Sequence, residues 1–85
     1  MVVLDFDIEG RGGVQFELHR PELAPDMPAW ACRVTWRGLL NGETQVFGAT
    51  SLQSLDLATA FVAREMTAAF PGDRISQAGA PWFPH

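Results

Sequence analysis

The sequence contains no lysine and no tyrosine, and Cys32 is its single cysteine. Without lysine there is no amine for Schiff-base chemistry and none to hold a phosphate. One thiol can form neither an internal disulfide nor a cysteine-based zinc site, and such sparing use of cysteine fits a reducing compartment. Basic residues are few: six arginines, scattered, stand against ten carboxylates, giving a net charge of −4. Gripping nucleic acid by its phosphates needs clustered basic residues, so nucleic acid is excluded as a partner and a basic protein is favoured. No apolar run approaches the roughly 20 residues of a membrane-spanning helix. The N-terminus, Met-Val-Val-Leu-Asp-Phe-Asp, lacks the basic start of a secretion signal, so a cytoplasmic protein without a membrane partner is expected.

What is present is enough for one domain with one hydrophobic core. Residues 2–9 alternate, with Leu4, Phe6 and Ile8 on one side and Asp5, Asp7 and Glu9 on the other. Residues 14–19 repeat this, with Val14, Phe16 and Leu18 against Gln15, Glu17 and His19. That is the period of a half-buried strand. Gly10-Arg11-Gly12-Gly13 between them reads as a hairpin turn; it leads into a strand rather than a helix, so it is not a phosphate loop. A loop of Arg11-Gly12-Gly13 sets Asp5 opposite His19 and Asp7 opposite Glu17, whereas a shift of two residues sets Asp5 opposite Glu17. After a proline-rich loop over 21–28, which cannot join a central ladder, a third strand alternates Trp30, Cys32, Val34 and Trp36 with Ala31, Arg33, Thr35 and Arg37. Residues 43–49 read as a fourth strand whose facing is ambiguous, because the adjacent Val46 and Phe47 point opposite ways.

Thr50-Ser51-Leu52-Gln53 matches a capping box and opens a helix that runs to about Phe70, where Pro71-Gly72 stops it. Its main apolar face comprises Leu52, Leu55, Val62, Met66, Ala69 and Phe70, and a second strip comprises Leu57, Phe61 and Ala68. The expectation is an α+β fold, ββββα, in which a four-stranded antiparallel sheet carries one amphipathic helix on one face. Residues 1–72 form the domain, and 73–85 form a tail rich in proline and aromatics. That tail, with Trp82 and Phe83, either folds back over the second helix strip or stays exposed with it as a binding patch.

The chain carries no cofactor motif and no catalytic constellation. Ser51 and Ser54 lack a nucleophile elbow, and Cys32 alternates with apolar residues on a face where a thiol stays protonated. One collection of hard ligands is present: Asp5, Asp7, Glu17 and His19 share a face and suit a metal-dependent enzyme. They lack a recognised ligand spacing, and a solvated face balanced by Arg33 or Arg37 is the simpler reading.

Trp30-Ala31-Cys32-Arg33-Val34, then Gly48, then Ser51-Leu-Gln-Ser-Leu-Asp-Leu-Ala58 resembles a family of small bacterial domains of unknown function. Members show a W-x-C-x-V strand, a glycine-ended strand and a helix opening S-[LI]-Q-A-L-x-L-A. The likeness covers residues 14–72; Ser54 departs from it, standing where the pattern has alanine. The family name carries no activity. In size and charge the chain is also similar to immunity proteins that neutralise a toxin. The leading expectation is therefore a non-catalytic, immunity-type binding protein. In it Asp5, Asp7, Glu9 and Glu17 steer a basic partner, and Leu57, Phe61, Trp82 and Phe83 anchor it. The rival is a homodimer or assembly subunit joined by the helix strip or by a sheet edge.

Overall fold

The computed structural model describes residues 1–82, so Phe83, Pro84 and His85 lie outside it. One antiparallel sheet carries one helix, in the order β1 (Val2–Ile8), β2 (Gly12–Leu18), β3 (Glu22–Leu23), β4 (Trp30–Gly38), β5 (Gly42–Gly48), α1 (Ser51–Ala69), β6 (Ile75–Gln77) and β7 (Ala80–Pro81). Across the sheet the order is β5-β4-β2-β1-β6-β7, and β3 continues the line of β2 along the same edge of β4. The α+β class and the single helix are as expected, but the described sheet has seven strands rather than four. The additional three hold only two or three residues each. β3 sits between Pro21 and Pro25, at the rim where proline does no harm. β6 and β7 continue the sheet beyond residue 72, since β6 pairs with Phe6–Ile8 of β1 and β7 pairs with β6.

The hairpin register also differs. Phe6 opposes Val14, Asp5 opposes Gln15, Asp7 opposes Gly13 and Val3 opposes Glu17. The parity that keeps apolar residues on one face holds, but every pair is four residues away from the register expected. The cause is the position of the turn. Arg11 donates its backbone N–H to the Ile8 carbonyl at 2.9 Å, and Gly10, at φ 77°, takes the third position, where a type II turn requires positive φ. Gly12 and Gly13 therefore belong to β2, not to the loop.

One face of the sheet supplies Phe6, Ile8, Val14, Phe16, Leu18, Cys32 and Val34 to the core, all buried. Burying each large side chain contributes about 1.5–3 kcal/mol. Phe6 and Phe16 meet edge to face at 5.9 Å, and Phe16 continues to Trp36 at 5.7 Å. The register places Val46 opposite Cys32 and so turns Val46 inward and Phe47 outward, which resolves the facing of β5.

Thr50 accepts a hydrogen bond from the Gln53 backbone N–H at 3.0 Å, and the Gln53 side chain accepts from the Ala49 N–H. The box thus closes one residue earlier than the standard pattern. The buried seam of α1 is Ser54, Ala58, Val62 and Met66, continued by Phe70. Leu52, expected on that face, is 75% exposed. Gly48 explains the difference: a β-carbon there would lie 2.5 Å from the Ser54 nitrogen. The helix lands so close to β5 that its buried seam in the first two turns is built of small residues, Ser54 and Ala58. Ser54 is satisfied in this setting, donating to the Ser51 carbonyl at 2.8 Å. Among the described residues no helix is long and apolar enough to cross a membrane.

Candidate functional site

With α1 covering one face, the other face of the sheet is left open among the described residues, as antiparallel sheets allow. Strand alternation and register place Asp5 and Asp7 of β1, Gln15 and Glu17 of β2, Arg33, Thr35 and Arg37 of β4, and Glu43, Gln45 and Phe47 of β5 on this face. A polar row crosses three strands. Arg37 donates to the Gln15 side-chain oxygen at 3.0 Å, and the Gln15 amide donates to an Asp5 carboxylate oxygen at 2.8 Å. The amide is oriented so that its oxygen meets the cation and its NH2 the anion. A second row runs from Val3 through Glu17 and Thr35 to Glu43, and the His19 ring reaches the Thr35 hydroxyl at 3.3 Å.

Asp5, Asp7 and Glu17 share this face as expected, yet no carboxylate of β1 opposes one of β2. Asp5 faces Gln15, Asp7 faces Gly13 and Glu17 faces Val3. Balance by Arg37 holds for Asp5, through Gln15. The metal set of Asp5, Asp7, Glu17 and His19 does not assemble, and no group of three metal-ligating side chains forms among the described residues. Register is the reason: the pairing ends at Val2–Leu18, so His19 falls beyond the carboxylates of β1. Glu9 stands apart at the turn, loosely paired with Arg74 at 3.9 Å.

The expected apolar anchors do not form one patch. Phe61 packs half-buried against Trp36, 5.6 Å between rings, and Leu57 beside it is 41% exposed. Trp82 docks edge to face on Phe6 at 5.1 Å, near Thr59 and Ala63 on the opposite flank of α1. Trp82 therefore extends the core without covering the Leu57–Phe61 strip. Phe83 lies outside the described residues.

Cys32 is fully buried; its thiol donates to the His19 carbonyl at 3.3 Å, and burial pushes its pKa up. This is a protonated, shielded thiol, as its place among apolar residues implied. One feature escaped the sequence: a half-open cleft of about 780 Å³ at the end of the molecule, lined by Phe70, Pro71, Asp73, Arg74, Ile75 and Trp82. Two of its lining residues are held by Arg11, whose guanidinium lies 5.2 Å from the centre of the Phe70 ring and 3.0 Å from the Asp73 carboxylate. The cleft depends on the unforeseen placement of β6 and Trp82, and only the run Phe70-Pro-Gly-Asp-Arg74 hinted at it. No family model, curated protein or solved structure matches the chain, so a functional reading stands on this geometry alone.

Proposed function

We propose that the chain is a non-catalytic binding domain whose open sheet face docks a basic protein, in the manner of an immunity-type inhibitor. The carrying observation is where the charge sits. The register puts five carboxylates on that face (Asp5, Asp7, Glu17, Glu22 and Glu43) against two guanidiniums (Arg33 and Arg37). Five against two leaves three of the chain's four net negative charges on these strands, offset at the rim by Arg20, which lines a hollow with Glu22 and Arg33. A field of one sign over an open face steers an oppositely charged partner and raises its association rate. The shielded thiol of Cys32 and the His19 ring engaged with Thr35 support a role in contact rather than covalent chemistry.

The test is affinity capture from lysate of the native host, washed at low and at high salt, followed by association kinetics with whatever is retained. A basic partner released by salt is expected. Reversing charge at Asp5 and Asp7 together should slow its association about tenfold or more at low salt. An unchanged rate would remove the open face from the mechanism.

A further inference from the structure

The two edges of the sheet are built differently. One is stepped: β6 pairs only with Phe6–Ile8 of β1, leaving the outer side of Val2–Asp5 unpaired among the described residues. It ends in β7, two residues long and including Pro81, which has no N–H to offer. Short edges and proline are the usual protections against pairing with another chain. The other edge is β5, seven residues in unbroken register with β4, and its outer side has no partner among the described residues. β5 contains no proline, no bulge and one charge, Glu43. Exposed apolar side chains flank it: Phe47, 43% exposed, on the open face, and Leu57, 41% exposed, on the helix side.

We propose that the chain forms a two-fold dimer by antiparallel pairing of β5 with β5 of a second copy, centred on Gln45. Three observations favour a second copy as the occupant. The register is self-compatible: about a Gln45 axis, Thr44 meets Val46 and Glu43 meets Phe47, so the one charge of the strand never opposes its own copy. Apolar and polar faces are kept, because Gln45 and its neighbours retain their sides. The helix geometry fits as well. α1 lies over β5 and β4, and its Phe61 flank faces β4 and β5, since Phe61 meets Trp36, whose ring lies against Gly42. Leu57, one turn before Phe61, therefore faces outward past β5. α1 packs on β5 and β4 on the covered face, so the two-fold sets both helices on that face flanking the joined strands, with Leu57 of each copy turned toward the other helix.

The proposal is tested by sedimentation equilibrium on the intact chain from about 5 μM to about 500 μM. A mass rising to twice the 9.3 kDa of one chain is expected. Gln45→Glu should weaken the dimer at least tenfold, because two carboxylates then face each other at the axis. In the monomer the same change sits beside Arg33 and leaves the fold intact. Leu57→Glu, at an exposed site, should weaken the dimer comparably. Gln45→Cys supplies an independent readout. Directly opposed residues lie about 4.5–5.5 Å apart between Cα atoms, within disulfide reach, so mild oxidation should link two chains, whereas Asp56→Cys on the far flank of α1 should not link them. A monomer at every concentration would overturn the proposal and leave the edge to an extended segment of another protein. A dimer that survives both Gln45→Glu and Leu57→Glu would overturn it too.

Discussion

Cys32 offers a measurement that the composition makes unusually clean. Lysine and tyrosine are absent and arginine holds its proton, so Cys32 is the only side chain that titrates between about pH 8.5 and pH 11. Burial raises its pKa in the folded state. Below about pH 8.5 the thiol is protonated whether folded or not, and its stabilising contribution is fully present. As pH rises further the unfolded thiol releases its proton while the folded one keeps it, so stability declines until pH passes the raised folded value. Urea midpoints at pH 8, 9 and 10 should therefore fall for the native sequence and stay level for Cys32→Ala, whatever the cost of the smaller side chain at pH 8. Parallel slopes in the two proteins would mean that the thiol is less shielded than its position implies. At this scale the sequence was legible wherever the determinant is local. The shielded thiol follows from alternation, and the Thr50 cap from four consecutive residues. The seam of α1 was not legible, because a helical wheel weighs hydrophobicity and not distance of approach. Leu52 is the more apolar residue, yet Ser54 is buried because Gly48 brings the strand against it.

Among elements, β6 and β7 change the most. Three and two residues long, with Gly79 in their turn, they carry too little pattern to be distinguished from a loop; only tertiary pairing with β1 makes them strands. Trp82 follows them because its backbone N–H donates to the Ile75 carbonyl at 2.9 Å, which aims the indole at Phe6. Trp82→Ala should cost about 2 kcal/mol, less than for a fully buried tryptophan since the ring is only half-buried. Urea unfolding followed by far-ultraviolet circular dichroism measures this, independent of the fluorophore removed. An unchanged midpoint would show that the segment after residue 72 contributes little to the core. The hairpin illustrates a related limit. Alternation in β1 and β2 assigned each side chain its face correctly, but four candidate turn residues, three of them glycine, left the turn free to slide. The position of Gly10 in the turn decided the register, and with it the separation of His19 from Asp5 and Asp7.

For the whole molecule, charge sets two interfaces in opposition. Two copies that meet along β5 each bring a net charge of −4 into contact, and the strand itself supplies no cation to offset it. Their repulsion extends about as far as the screening length, roughly 20 Å at 20 mM salt and about 5–6 Å at 300 mM. Added sodium chloride should therefore tighten the dimer, by about two- to fivefold over that range. A basic partner on the open face obeys the reverse rule: the same salt screens the attraction of Asp5, Asp7, Glu17, Glu22 and Glu43, and binding should weaken about tenfold or more. The two dissociation constants, measured on one preparation at both salt concentrations, should move apart in opposite directions. Parallel weakening would mean that opposite charges hold the dimer together. Since β5 carries only Glu43, the dimer interface would then have to be sought elsewhere, where arginine and carboxylate can meet.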